Sequence, residues 1–297
     1  MKLVGDLHNH TYFSDGKLSP YQIISTYARL NYKLISITDH DTLKGYFEAM
    51  RFRNMTPNMK IIPGCELTIS FLNGKRKFSI HLLLYFKKED VFNREFLNEF
   101  EKITDLARGN GLLKRRLSKM KEIFGKELEN VSEDDFKKIK GVITRKQIFE
   151  TLIKKGMEEK RAREILSNSS PAYIPSGIPL SEVIPFLKKY KMIKVMAHPA
   201  VGSSDNDNYE KDVYPPIEEV IPIIKEFHDL KIIDGIEIFY PAHKKEHMEQ
   251  LKNLGKELNL KLFTGGSDCH DLKKRPPAKA GMDLQLVKNF LKVYDNL

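Results

Sequence analysis

Nine histidines occur in the 297-residue chain, and six of them share a setting. His8, His10, His40, His81, His198 and His270 lie in or at the ends of short aliphatic runs that read as β-strands, whereas His228, His243 and His247 fall on helical or loop stretches. Carboxylates accompany them. Asp6-Leu7-His8-Asn9-His10 sets two imidazoles two residues apart, which on an extended chain points both to the same side. Asp15 follows in the next turn. Thr38-Asp39-His40-Asp41 ends the second run, Glu66 follows the third in Pro63-Gly64-Cys65-Glu66, and His81 lies within the fourth. Ala197-His198-Pro199 ends the fifth, and Gly266-Ser267-Asp268-Cys269-His270 ends the seventh. Imidazoles mixed with carboxylates suit divalent Mn, Fe or Zn. A single His-x-His or Asp-His pair is weak evidence, and His81 alone reads as a hydrogen-bonded core histidine. The same ligand types at five strand ends of one chain point to a metal cluster. Cys65 and Cys269 flank proposed ligands; neighbours on an extended chain point opposite ways, so both thiols are expected on the packing side.

The elements that must position these groups alternate. Strand-like runs cover Lys2 to Asp6, Lys33 to Thr38, Lys60 to Pro63, Phe78 to Phe86, Met192 to Ala197, Ile232 to Phe239 and Leu260 to Gly265. Ser19-Pro20 opens a helix through Leu30, with Ser at the cap and Pro in the first turn. Helical patterns at Ser181 to Tyr190, Pro216 to Leu230 and Lys244 to Leu258 precede the later strands. This alternation predicts an α/β fold with a parallel sheet and right-handed crossovers, closed or nearly closed into a barrel of seven strands. In such a barrel the strand ends converge on one face, where chemistry sits. About a hundred residues separate the fourth run from the fifth, more than a crossover needs. The barrel is therefore assigned to residues 1–92 and 177–297, and 93–176 to an inserted, mostly helical, substrate-capping subdomain above the catalytic face. Within it, Ser132 to Asp135, Thr144 to Lys155 and Glu158 to Leu166 read as helix starts or helices.

Composition narrows the class. Apolar residues make up 41% of the chain, enough for a large core, and no apolar run approaches the ~18 residues of a membrane span. The chain enters its first strand directly, without a signal-peptide pattern, so a soluble cytoplasmic protein with no obligate protein partner is expected. Two cysteines provide no disulfide framework. The net charge of +10 favours anionic partners such as phosphates, nucleotides or nucleic acid, although a lysine-rich proteome would produce the same excess.

Taken in order, His8-Asn9-His10 with Ser14-Asp15-Gly16, Ile37-Thr38-Asp39-His40-Asp41-Thr42, Gly64-Cys65-Glu66, Ala197-His198-Pro199 and Gly266-Ser267-Asp268-Cys269-His270 resemble the PHP (polymerase and histidinol phosphatase) family over nearly the whole chain. Arg145 before a helix and Pro171-Ala172-Tyr173-Ile174-Pro175 resemble its stand-alone, TrpH-like phosphoesterase branch. That resemblance implies a distorted (β/α)7 barrel and two or three divalent ions. It implies that His8, His10 and Asp268 bind a first ion, that Glu66 bridges it to a third completed by His81 and His198, and that Asp15, His40 and His270 hold a second. Two departures bear on the substrate. Arg145-Lys146-Gln147 stands where the branch has Arg-Pro-His, and the polar loop Gly202 to Glu210 is longer than usual.

The expected reaction is hydrolysis of nucleotide phosphomonoesters, such as 3′,5′-bisphosphates, or of the 5′ ends of short oligonucleotides. The attacking group would be a water bridging the ions, with no side-chain nucleophile. Asp39 and Asp41 are candidates for orienting ligand imidazoles. Lys114, Arg115, Arg116 and Arg145 of the insertion are candidates for a second phosphate, Arg145 foremost. Three other readings are open: a histidinol phosphate phosphatase, a Zn amidohydrolase or deaminase, and a metal-stabilised nucleic-acid-binding module. The basic insertion disfavours the first, the lack of a lysine in a ligand-like strand-end motif the second, and the complete set of ligand positions the third.

Overall fold

The structure, a computed structural model, describes residues 2–73, 76–139, 143–205 and 214–297. The part of the loop from 206 to 210 lies outside these. Strands β1 (Gly5–Asp6), β2 (Leu34–Ile37), β3 (Lys60–Asn73), β4 (Arg76–Phe86), β6 (Met192–Met196), β7 (Gly235–Phe239) and β8 (Leu262–Gly265) form one sheet in the order β1-β2-β3-β4-β6-β7-β8. The short β5 (Ile178–Pro179) pairs with β3 off this path. The sheet curves into a nearly closed, distorted seven-stranded barrel. Past β1, the Leu7 N–H donates to the Gly265 carbonyl at 3.3 Å and the His10 N–H to the Cys269 carbonyl at 2.9 Å, which joins the last strand end to the first. No helix among the described residues is long and apolar enough to cross a membrane.

The expectation of a wholly parallel sheet is corrected at β4, which runs antiparallel to both β3 and β6. The reason is connection length: β3 and β4 pair from Gly64↔Tyr85 out to Asn73↔Arg76, and so short a link cannot make the crossover that parallel strands require. No helical pattern separates those two runs in the sequence. The third strand is also much longer than the run Lys60 to Pro63, so Glu66 sits within it and the β3–β4 hairpin reaches beyond the barrel mouth.

Helices α1 (Pro20–Arg29) and α2 (Lys44–Met50) follow the first two strands. Helix α1 starts on a capping box in which Ser19 and Gln22 satisfy each other's backbone amides. Helices α7 (Leu180–Lys189), α8 (Ile217–Asp229) and α9 (Lys245–Glu257) alternate with the later strands, and α10 (Leu284–Tyr294) closes the chain. The barrel interior holds Leu7, Leu34, Ile62, Leu83, Val195 and Leu262, sealed by Val287 and Phe290 of α10. One end is therefore apolar and plugged, which leaves the other for polar groups.

The insertion contains α3 (Arg94–Arg108), α4 (Asn110–Phe124), α5 (Arg145–Lys154) and α6 (Glu159–Leu166). Its apolar packing divides unevenly. Phe96, Phe100 and Ala107 of α3 belong to the barrel's outer core, whereas a separate core runs from Leu113 to Ala172. In packing terms the insertion begins after α3, later than residue 93. It returns through Gly177, whose φ of +110° and proximity to the Ser70 amide, 2.6 Å from where a Cβ would lie, leave room for no side chain. Gln147, at the position where the resembled branch has histidine, completes a capping box with Thr144.

Phe96 is buried among Phe86, Phe100, Phe186 and Tyr190, with ring centroids 5.0 to 5.9 Å away. Truncating it to Ala should lower the unfolding free energy by roughly 3–5 kcal/mol in urea melts, the usual cost of emptying an aromatic site. A loss below about 1 kcal/mol would show that α3 is not anchored there.

Candidate metal centre

The open end of the barrel gathers all nine residues singled out as ligands. His8 and His10 lie just past β1 on extended backbone, where the Asn9↔Cys269 bridge holds the segment against the loop after β8. His40 follows β2 and bridges to Glu66 on β3. His81 lies opposite Thr68 across the hairpin, which sets it on the face that also carries Glu66. His198 follows β6, and Asp268 and His270 follow β8. Eight of the nine are buried, and Asp15, with its side chain 31% exposed, marks the side open to solvent.

Their donor atoms converge. The Nε2 atoms of His8 and His10 face each other at 3.2 Å. Both also face Glu66 Oε2, at 3.4 and 3.0 Å, and Asp268 Oδ1, at 3.4 and 3.1 Å. Glu66 Oε2 is 3.1 Å from His40 Nδ1, a buried nitrogen without a hydrogen bond. Glu66 Oε1 reaches His81 Nδ1 at 2.8 Å and His198 Nε2 at 2.9 Å. Asp15 lies 3.1 Å from His270 Nε2 and 3.7 Å from His40 Nε2. Three overlapping donor groups result: His8, His10, Glu66 and Asp268; His10, Asp15, His40 and His270; and His40, Glu66 and His81. Two imidazole nitrogens that face each other between two carboxylates repel unless a proton or a cation lies between them. The donor set therefore fits divalent ions.

Outer contacts fix the imidazole tautomers. His8 Nδ1 donates to Glu237 at 3.0 Å, and His270 Nδ1 donates to the Asp268 carbonyl at 2.8 Å. His10 Nδ1 meets Ser14 Oγ at 3.3 Å. Each leaves its Nε2 lone pair for the cluster, the arrangement expected around a metal-binding histidine. Glu237 also accepts from the His198 N–H at 2.9 Å, which helps hold that residue at a φ of +29°. Asp268, at a φ of +46°, is held by the Tyr240 hydroxyl at 2.9 Å and Arg275 at 2.8 Å. Such backbone is strained for residues with a Cβ and persists only where the surroundings impose it.

Burial disfavours the charged form of Glu66, yet His40, His81 and His8 hold its pKa well below the usual carboxylate range. Burial likewise opposes a proton on His10, but Asp268 and Glu66 outweigh it and lift its pKa to about 9. His40 is driven the other way, its pKa lowered by burial and by Arg108.

The sequence expectations fare unevenly in the surrounding shell. Asp39 touches no imidazole. It accepts from the Thr11 N–H and hydroxyl and from Ser14, and so reaches His10 only through Ser14. Asp41 is turned toward Thr68 and Arg108. The carboxylate that does orient an imidazole is Glu237, whose signal was a lone acid in the apolar run Ile236 to Ile238. Of the insertion cations, Arg116 is buried and donates to the Ile174 carbonyl and Ser176, and Arg115 donates to the Leu106 carbonyl. Arg145 donates to Asn168 and lies over the Tyr173 ring, and Lys114 is exposed. Among the described residues, none of the four touches the donor cluster. Arg108, Arg275 and Tyr240, unmarked in the sequence, lie nearer. Cys65 and Cys269 are buried in apolar packing, away from the donor groups.

Residues 6–100 match the PHP domain family. No curated protein matches the chain by sequence. An inferred metal-dependent phosphoesterase from Bifidobacterium adolescentis is 26% identical and superposes with a TM-score of 0.69, covering 97% of this chain and 95% of its own. An amidohydrolase from Chromobacterium violaceum, whose structure holds a sulfate and no metal, is 20% identical with a TM-score of 0.63, covering 95% and 92%. That second likeness is one of fold. The family match and the first likeness support a metal-dependent phosphoesterase of the PHP type.

Two outcomes are expected. Glu237→Gln should weaken divalent-metal affinity by about 10–100-fold, as loss of an outer partner of a ligand imidazole does; an unchanged Mn²⁺ isotherm would contradict the role. In the metal-free protein His10 holds its proton up to a pH of about 9, so an ion must displace it and affinity should rise with pH through neutrality. Mn²⁺ calorimetry in buffers of different protonation enthalpy should show net proton release, and the absence of release would refute this.

Proposed function

On the premise of a PHP-type metal-dependent phosphoesterase, we propose that the protein hydrolyses phosphomonoesters of nucleotide size, 3′,5′-bisphosphate nucleotides first and the 5′ ends of short oligonucleotides second. The observation that carries this reading is the sharing of His10, His40 and Glu66 among three donor groups in one mouth. His8, His10, Glu66 and Asp268 would hold one ion, Asp15, His40 and His270 a second, and His81 and His198 with Glu66 a third. Bound there, divalent ions such as Mn, Fe or Zn supply a water acidified toward neutral pH and positive charge for phosphate oxygens.

The chain's own residues do the rest by position. The backbone bridges Asn9↔Cys269 and His40↔Glu66 fix the spacing of the donors. Burial of eight donors limits bulk water, and the exposed edge at Asp15 is where a phosphate can enter. Arg275, paired with Asp268 and 43% exposed, adds a fixed cation at that edge. Little covalent work falls to a side chain, and no side-chain nucleophile is assigned.

The test is phosphate release in Mn²⁺ from mononucleotides, 3′,5′-bisphosphates, histidinol phosphate and short oligonucleotides. Release should be lost on chelation and restored by Mn²⁺. Glu66→Ala should lower kcat/KM by more than about a hundredfold, beyond the cost of an outer-shell contact. Ammonia release, or tight nucleotide binding without turnover, would overturn the assignment.

A further inference from the structure

A phosphate brings several strong acceptor oxygens to whatever site binds it, and those not facing an ion need hydrogen-bond donors. The donor cluster has little to give them. Carboxylates only accept, and an imidazole nitrogen turned to an ion has no proton to donate. The hydroxyls around the cluster are mostly engaged. Tyr240 donates to Asp268, Tyr27 to Asp6, Ser14 to Asp39 and Thr68 to Asp41. The hydroxyl of Tyr214 has no hydrogen-bond partner among the described residues.

Tyr214 stands three residues before α8, on the chain that returns from the polar loop after His198. Its backbone is pinned there. A Cβ on Gly202 would meet the carbonyl oxygens of Tyr214 at 2.6 Å and of Pro215 at 2.3 Å, so the two segments touch backbone to backbone. The Ile217 N–H donates to Ser203 Oγ at 2.8 Å and ties them together. The half-buried ring packs edgewise on two ligand imidazoles, with centroids 5.5 Å from His81 at 90° and 5.2 Å from His198 at 73°. Its hydroxyl lies within electrostatic reach of Glu66, Asp268, Arg108 and Arg275. Those four come from β3, the loop after β8 and the end of α3, so the phenol reaches over the cluster and not away from it. An ordinary phenol holds its proton at neutral pH and is therefore a donor.

We propose that Tyr214 positions the substrate, its hydroxyl donating a hydrogen bond to a non-bridging oxygen of the phosphate held at the metal centre. This rests on the phosphoesterase reading and adds to it a residue that touches the reacting group without holding an ion. Free phosphate keeps the same oxygens, so it takes the same hydrogen bond as the ester.

The experiment uses Tyr214→Phe, which keeps the ring against His81 and His198 and removes only a hydroxyl that no described residue uses. In Mn²⁺, kcat/KM for adenosine 3′,5′-bisphosphate should fall about tenfold or more, the scale of a hydrogen bond to a charged group. The Kd of inorganic phosphate for the Mn²⁺-loaded protein, measured by calorimetry, should rise by a similar factor. The Mn²⁺ isotherm itself should stay within about threefold, well inside the loss that follows when a ligand imidazole is disturbed. An unchanged phosphate Kd overturns the proposal, and so does a loss of Mn²⁺ affinity as large as the loss of phosphate affinity. If no phosphoester is turned over, the phosphoesterase reading fails by itself. Phosphate binding weakened in Tyr214→Phe then still supports the hydrogen bond, and equal binding, or none in either protein, overturns it.

Discussion

Two imidazole nitrogens, on His8 and His10, face each other across 3.2 Å with the carboxylates of Glu66 and Asp268 beside them. That placement is unfavourable in itself, because neutral nitrogens present lone pairs to one another and buried carboxylates lose their hydration. The rest of the barrel mouth can be read as what makes it tolerable. Protons on His8 and His10 would relieve it at one level, and divalent cations at another. A protein whose most buried polar cluster is arranged for cations ties its folded geometry to the ions it holds.

The surrounding residues act by fixing direction. Glu237, Ser14 and the Asp268 carbonyl each take the outer nitrogen of a histidine, and so each imidazole can offer only its inner one. Asp6 does comparable work on the backbone. It accepts from the amides of His8 and Ser267 and from Tyr27 and Ser267 hydroxyls, tying the first strand end to the last. His243, buried and neutral, spans the Ile238 carbonyl and the Ala200 N–H, which anchors the loop behind His198. Burial explains its neutrality, lowering its pKa to about 4. These contacts join loops after different strands, so the cluster's precision depends on closure of the barrel.

Helix α3 joins the insertion to the barrel mouth. That helix packs its phenylalanines into the barrel's outer core and ends at Arg108 beside Asp41. The helices beyond it have their own apolar core, and their arginines are engaged in holding that subdomain together. Arg116, prominent in a basic run, is a buried strut that donates to the Ile174 carbonyl and Ser176, while Arg108, alone in the sequence, is paired with Asp41.

The sequence by itself determined the donor types, their places near strand ends, and the α/β alternation, because ligand chemistry and strand periodicity are local and show in residue spacing. Helix starts at Ser19, Ser132 and Thr144 were legible for the same reason, since a capping box is written within four residues. The reversed direction of β4, the division of the insertion's packing and the identity of the groups around the donors were decided only in three dimensions. Glu237 meets His8 from 229 positions away, and Ser267 meets Asp6 from 261. Contacts between residues so distant in the chain exist only once the barrel has closed. The composition of the donor cluster was thus readable in one dimension, while its geometry depended on closure.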